Sequence, residues 1–117
     1  MTPPTGTPDQ TPSDLPAPDL TFSAFQRLIH ERYYETDAGR GPAATFLLLT
    51  EEFGELATAL HRNLPGKTPT EAERTNLEEE FADVLAWLAT MANITGVDLA
   101  RTLEKYTVEG RVEGVKD

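Results

Sequence analysis

Cysteine is absent from the sequence and histidine is scarce, and both shortages restrict the chemistry that the chain can perform. Without cysteine there is no disulfide, no thiolate metal site and no cysteine nucleophile. His30 and His61 are too few for a metal centre built from histidines. A bound metal must therefore be a hard cation held by oxygen ligands, which the acidic side chains supply in number.

Basic residues are also few, with 10 lysines and arginines against 20 acidic residues and a formal net charge of −10. A chain this acidic is not expected to bind nucleic acid through its phosphates or to adhere to an anionic membrane surface. No apolar run approaches the ~18 residues of a membrane-spanning helix. No export signal is visible at the start of the chain, so we expect a cytoplasmic protein.

The 117 residues divide into a proline-rich segment and one domain. Residues 1–19 hold six of the nine prolines, mixed with threonine, aspartate and glycine. Such a segment cannot bury enough apolar area to offset the entropy lost on ordering, so we predict a disordered tail. Residues 20–117 have the length of a single domain.

Apolar residues recur at helical spacing throughout the domain, and no alternating run of β-branched residues indicates a strand. The first helix is predicted to end near Glu35, because Asp37, Gly39 and Gly41 are typical of a turn. Four helices are predicted, at about 22–35, 42–62, 71–96 and from 98 onward. Their N-terminal signals are Thr21, Pro42, the pair Thr70 and Glu73, and Asp98. The predicted fold is therefore an all-α bundle.

The second and third helices carry more apolar residues than one monomer is expected to bury. Their predicted stripes are Phe46, Leu49, Phe53, Leu56 and Leu60, and Leu77, Phe81, Val84, Leu85 and Leu88. Leu47, Leu48 and Leu49 also follow one another and must point in different directions. We therefore expect a partner subunit to cover part of this surface, so that the bundle is completed by oligomerisation.

Two short acidic segments, 51–55 and 79–83, nearly repeat one another in sequence. In the first, Glu52 and Glu55 are three residues apart and share a helix face beside the apolar stripe. In the second, Glu80 and Asp83 have the same spacing and the same relation to the stripe. All four carboxylates are therefore expected to flank the core instead of pointing straight into water.

The two acidic segments are placed symmetrically about the loop that joins the second and third helices. An antiparallel hairpin with this turn brings Glu52 opposite Asp83 and Glu55 opposite Glu80. Carboxylates this close repel one another unless a cation is bound, and Mg²⁺ is held in this way by a few carboxylates and by substrate phosphates. An acidic groove that binds a basic partner is the alternative.

The pattern of Glu51, Glu52 and Glu55 followed by Glu80 and Asp83 resembles the signature of the MazG-like all-α nucleoside triphosphate pyrophosphohydrolases. The resemblance extends over about residues 20–111. The neighbouring sequence agrees with it, in the segments Gly54-Glu55-Leu56, Asp83-Val84-Leu85 and Gly96-Val97-Asp98-Leu99.

The resemblance implies hydrolysis of a nucleoside triphosphate between its α- and β-phosphates, to a monophosphate and pyrophosphate, as a house-cleaning reaction of the nucleotide pool. It implies that Mg²⁺, or Mn²⁺ in its place, is bound by Glu52, Glu55, Glu80 and Asp83. Short members of the family form dimers or tetramers, so we expect a homotetramer built as a dimer of dimers, with a dimer as the alternative.

Further residues are candidates for catalysis and substrate binding. Glu51 lies about 100° from Glu52 around the helix and is our candidate to orient or deprotonate the attacking water. Lys105, Arg111 and Arg40 are candidate cations for a polyanionic substrate, and Trp87 is a candidate stacking surface for a base. The alternative for each charged residue is a solvated surface position, and for Trp87 a place in the core.

Two other functions remain open. Phosphoribosyl-ATP pyrophosphohydrolases share the fold and the metal chemistry, but this chain has Ala86-Trp87 where a tyrosine–histidine pair is expected. A non-enzymatic acidic helical module for protein interaction is the third possibility. It predicts no Mg²⁺-dependent hydrolysis.

Overall fold

A computed structural model describes residues 19–108 of the chain. In this range the protein has five helices and no strand, so the prediction of an all-α fold is confirmed. The helices are α1 (Phe22–Arg40), α2 (Pro42–Arg62), α3 (Glu71–Thr95), α4 (Leu99–Thr102) and α5 (Glu104–Thr107). The predicted tail, apart from its last residue, and Arg111 lie outside the described residues.

The helices begin at the residues that the N-terminal signals predicted. Thr21 accepts a hydrogen bond from the backbone of Ala24 at 3.0 Å, and Pro42 is the first residue of α2. Thr70 and Glu73 form the reciprocal capping box, with bonds of 3.1 and 2.9 Å. Each cap satisfies a backbone N–H that has no partner within the helix, which fixes where the helix starts.

The predicted end of the first helix near Glu35 is wrong, because α1 continues to Arg40. A glycine inside a helix costs only about 1 kcal/mol, so Gly39 does not stop it. The break comes at Gly41, whose φ of 84° and ψ of 166° lie in a region that is open to glycine alone. Gly41 is the single residue that separates α1 from α2.

The helix predicted from residue 98 is interrupted. Asp98 caps its first turn by accepting from the backbone of Arg101 at 3.4 Å, but α4 ends at Thr102. The backbone N–H of Leu103 bonds to the carbonyl of Ala100, a tighter turn than that of an α-helix, before α5 begins.

Helices α2 and α3 form the predicted antiparallel hairpin. Near its turn, the Asn63 amide donates to the carbonyl of Glu73 at 3.3 Å. Further from the turn, Glu52 of α2 lies beside Asp83 of α3, so the two helices run in opposite directions. Because α1 also packs on α3, α3 is the central helix of the fold.

Gln26 joins α1 to both ends of the α3–α4 connection. Its side-chain amide donates to Asn93 at 3.0 Å and to the carbonyl of Val97 at 2.7 Å, and its oxygen accepts from the backbone of Leu99 at 2.9 Å. These bonds fix the position of α4.

The core is small, and the predicted apolar stripes are only partly buried. Leu49, Leu77 and Val84 are buried, together with several alanines. Phe46, Leu47, Phe53, Leu60, Phe81, Leu85 and Leu88 are exposed, Leu47 to 70%. Within the described range no further helix covers the outer faces of α2 and α3. These faces form the exposed apolar surface.

Candidate metal and nucleotide site

Carboxylates from the middle of α2 and the middle of α3 meet across the hairpin. Glu52, Glu80 and Asp83 each present a carboxylate oxygen, and these oxygens lie within 4.8 Å of one another. The helical spacing of three residues places Glu80 and Asp83 on one face of α3, and the hairpin brings Glu52 of α2 to them. This acidic cluster is the densest group of potential metal ligands that residues 19–108 contain.

Glu55 lies one turn after Glu52 on α2 and is exposed. It is not one of the three residues whose oxygens converge most closely. Its charge nevertheless raises the pKa values of both Glu52 and Glu80, which places its carboxylate near theirs. The structure therefore brings all four predicted ligands together, three of them closely and Glu55 at the outer edge.

The pKa values of Glu52 and Glu80 are raised above their ordinary value. Desolvation is the largest cause in both cases, and the charge of Glu55 is the next. The charge of Asp83 raises both pKa values further. A hydrogen bond from Asn76, 3.3 Å from the Glu80 oxygen, opposes the rise for Glu80. The cluster therefore holds its negative charge at a cost to the folded state.

One oxygen of Glu52 and one of Glu80 are buried and have no hydrogen-bond partner among residues 19–108. No lysine or arginine among residues 19–108 forms an ion pair with either carboxylate. Buried polar atoms are nearly always paired, so two orphaned oxygens in one cluster call for a ligand. A hard divalent cation fits this donor set, because carboxylate oxygens are its preferred ligands and its charge removes the repulsion.

Glu51 precedes Glu52 on α2 and is exposed. It is not part of the converging group, in line with its position about 100° away around the helix. Nothing in its surroundings distinguishes a catalytic group from a surface glutamate, so its role stays a prediction.

A cavity of about 340 Å³ lies between α1 and α3. Its lining contains two of the predicted substrate-binding residues, Arg40 and Trp87, although they are far apart in sequence. The Arg40 guanidinium carbon lies 5.2 Å from the centre of the Trp87 ring, in a cation–π contact. Trp87 is one helical turn beyond Asp83 on α3, so this cavity, which we call the Trp87 pocket, adjoins the acidic cluster.

The floor of the Trp87 pocket contains a buried acid that the sequence analysis misread. Asp37, assigned there to a turn, is only 4% exposed and lies within α1. One of its oxygens forms a 3.1 Å ion pair with Arg40, and the other accepts from the Thr90 hydroxyl at 3.1 Å. The spacing of three residues between Asp37 and Arg40 was the available signal, since such pairs face one another on a helix.

Of the other two candidate cations, the structure describes only Lys105. Lys105 is in α5, where its ammonium nitrogen is 5.3 Å from the centre of the Tyr106 ring. It does not line the Trp87 pocket. Arg111 lies outside the described residues. Their roles in substrate binding stay predictions.

Comparison with known proteins gives one family. Residues 40–108, more than half of the 117-residue chain, match the family model described as the MazG nucleotide pyrophosphohydrolase domain. The match contains both acidic segments, Arg40 and Trp87. No curated protein matches the chain. None of the helices in the described range is long and apolar enough to cross a membrane.

Proposed function

Because the chain belongs to the MazG nucleotide pyrophosphohydrolase family, we propose that it hydrolyses (deoxy)nucleoside triphosphates between the α- and β-phosphates, releasing a nucleoside monophosphate and pyrophosphate in a Mg²⁺-dependent reaction. The observation that carries this proposal is the acidic cluster with its two unpartnered buried oxygens. Neither a solvated helix face nor a folded core accounts for such a group.

Glu52, Glu55, Glu80 and Asp83 would hold the metal. A divalent cation bound there supplies positive charge to the phosphate oxygens and lowers the pKa of a bound water. The four carboxylates keep the cation fixed on two helices that pack directly against each other, so little reorganisation is needed during turnover. Mn²⁺ has the same preference for oxygen ligands and is expected to substitute.

Glu51 is the proposed general base. It adjoins the cluster without converging on it, so its carboxylate is free to accept a proton from a water molecule at the cluster's edge. Trp87 is proposed to contact the base of the nucleotide from its pocket beside Asp83. Lys105 and Arg111 are proposed to bind the polyphosphate.

The proposal is tested by measuring pyrophosphate release from a panel of ribonucleotides, deoxyribonucleotides and phosphoribosyl-ATP, with Mg²⁺ and with EDTA. We expect Mg²⁺-dependent release from one or more nucleoside triphosphates. Release from phosphoribosyl-ATP alone would establish the second candidate, which shares the metal chemistry. No release from any substrate would overturn the proposal and favour a non-enzymatic acidic module that binds a partner.

The separate roles of Glu51 and Glu52 are tested by calorimetric titration of Mg²⁺ into two matched variants. Glu51→Gln should lower turnover by roughly 10²–10⁴-fold, as for a lost general base, while leaving Mg²⁺ binding almost unchanged. Glu52→Gln should weaken Mg²⁺ binding directly. Equal loss of metal affinity in both variants would make Glu51 a ligand, and wild-type turnover of Glu51→Gln would make it a surface charge.

A homotetramer built as a dimer of dimers is the proposed assembly, and a dimer is the alternative. Phe46 and Phe53, two turns apart on α2, are exposed to 55% and 45%, and Phe81 on α3 to 49%. Large aromatic side chains in neighbouring stripes are typical of surfaces that another subunit covers. Sedimentation equilibrium should give a mass above that of the monomer, and Phe53→Lys should lower it. A monomeric wild type would contradict the assembly.

Residues 1–19 are proposed to be dispensable, because their composition offers no periodic apolar face for docking. A chain lacking them should keep its pyrophosphate release and its oligomeric state. A loss of either on truncation would show that the segment contributes to the site or to an interface.

A further inference from the structure

The Arg40 guanidinium is already held by the protein's own side chains. Its Nη1 lies 3.1 Å from the carboxylate of Asp37 and 3.3 Å from the hydroxyl of Thr45. Thr45 is fully buried and donates its own hydrogen to the carbonyl of Gly41 at 2.7 Å, so its oxygen is fixed as the acceptor. Arg40 is thus anchored to the ends of both α1 and α2.

The charge of Arg40 is balanced within the same network. Asp37 is buried, and Thr90 of α3 occupies the carboxylate oxygen that does not face Arg40. Together Asp37 and Arg40 present no net charge to the pocket. A phosphate ligand acts through its positive charge, and the Asp37 carboxylate 3.1 Å from Arg40 weakens the attraction of that charge for a polyphosphate.

The hydrogen bonds that hold Arg40 also fix the orientation of the Trp87 indole. The guanidinium lies over this ring at 5.2 Å, so one face of the indole is covered and its orientation is set before any ligand binds. Preorganisation of an aromatic surface lowers the entropy cost of binding a planar ligand. Tyr33 and Ile29 add further apolar lining to the same pocket.

We propose that Arg40 is a positioning residue for nucleobase recognition and not a phosphate ligand: Asp37 and Thr45 hold it against Trp87, and the pocket that results binds the uncharged ring of the substrate. This inference rests on the proposed nucleotide substrate. It reassigns Arg40 from the phosphate-binding set expected from the sequence and adds Asp37 as the residue that fixes it.

The chain contains a single tryptophan, so fluorescence excited selectively in tryptophan reports the pocket directly. A panel of nucleosides and, separately, inorganic triphosphate should be titrated into the full-length protein with Mg²⁺ present. We expect at least one nucleoside to change the Trp87 emission and inorganic triphosphate to leave it unchanged. A response to inorganic triphosphate without any response to nucleosides would overturn the inference.

Arg40→Lys separates the two roles because it keeps the charge and removes the planar group. Because an ammonium cannot stack flat on the indole as a guanidinium does, we expect it to weaken nucleoside binding, by up to the roughly 30-fold that a whole cation–π contact is worth, and to raise KM with little change in kcat. Inhibition by inorganic triphosphate should be unchanged. Weaker inhibition in Arg40→Gln with full rescue by Arg40→Lys would make Arg40 a phosphate ligand. Arg32→Gln, on the exposed side of α1, is the matched control.

Asp37→Asn gives a second, independent outcome, since it releases Arg40 without removing it. If Arg40 binds phosphate, its release from Asp37 should make the variant bind inorganic triphosphate more tightly, and this result would contradict the inference. If Arg40 positions Trp87, the variant should bind nucleosides more weakly and inorganic triphosphate as the wild type does. If these variants fail to fold, the wild-type fluorescence still decides. If the protein releases pyrophosphate but no nucleoside changes the Trp87 fluorescence, this inference is wrong and the proposed function stands. If no nucleotide is hydrolysed, the proposed function itself is wrong.

Discussion

The carboxylate of Asp37 and the carboxylates of the acidic cluster differ in the partners that the chain supplies for their charge. Asp37 is buried and has a partner on each oxygen, Arg40 on one and Thr90 on the other. Glu52 and Glu80 are only half-buried, yet each has an oxygen without a partner in the part of the chain that the structure describes. The more deeply buried acid is thus the better satisfied one.

This difference separates a structural acid from a binding acid. Folding places a buried charge at low cost only where the chain supplies its partner, as it does for Asp37. Where the chain gathers acids and supplies no cation, the folded state is strained by their repulsion. An external cation would stabilise such an arrangement, and for this reason the metal is proposed at the cluster and not at Asp37.

The largest expected effect comes from removing one carboxylate of the cluster. Asp83→Asn should lower kcat/KM for pyrophosphate release by at least about 100-fold, because a bound metal contributes several kcal/mol of charge stabilisation in the transition state. Steady-state kinetics on the nucleotide panel measures this. Glu78→Gln, also on α3 but exposed, is the control and should retain activity. Equal activity in both variants would remove the cluster from the reaction.

Loss of the ion pair between Asp37 and Arg40 should lower the stability of the fold. Arg40→Gln leaves Asp37 buried with one partner and should lower the free energy of unfolding by about 3 kcal/mol, near the low end for a broken buried pair, because Arg40 keeps some exposure. The double variant Asp37→Asn/Arg40→Gln should lose much less. Urea unfolding measures both. If the double variant is as unstable as Arg40→Gln, the loss comes from packing and not from an uncompensated charge.

The smallest effect is a pH dependence of the metal-free protein. The pKa values of Glu52 and Glu80 are raised in the folded state, so that state binds more protons than the unfolded one between their ordinary value and the raised value. Their contribution to stability therefore falls as pH rises through this window. In EDTA, Glu80→Gln should be more stable than wild type at about pH 7, and the difference in stability should be smaller at about pH 4. If wild type is instead the more stable protein near neutral pH, the charged carboxylates of Glu52 and Glu80 are stabilised by partners within the protein.

Local patterns were sufficient to predict the hairpin and the acidic cluster. Helix starts depend on caps a few residues long, and the facing of Glu80 and Asp83 follows from helical spacing alone. The end of α1 could not be predicted in this way. Asp37 and Gly39 favour a turn locally, but Asp37 is held in the helix by Thr90, which is distant in sequence.

The burial of individual apolar residues was also beyond the sequence. Phe46 and Phe53 fit a helical stripe as well as Leu49 does, yet only Leu49 is buried. Which stripe faces α3 is decided by how α1 and α2 share that helix, and spacing within one helix does not contain this information. For the same reason, the contact between Arg40 and Trp87 could not be predicted from spacing within one helix.

The central claim, that the acidic cluster is completed by a divalent cation, is tested most directly by melting curves of wild type and Asp83→Asn in EDTA and in Mg²⁺. We predict that Mg²⁺ raises the Tm of wild type, since a ligand at one hundred times its Kd adds about 2.7 kcal/mol to stability. Asp83→Asn should melt at or above wild type in EDTA and gain nothing from Mg²⁺. A wild-type Tm that is indifferent to millimolar Mg²⁺ and Mn²⁺ would contradict the account.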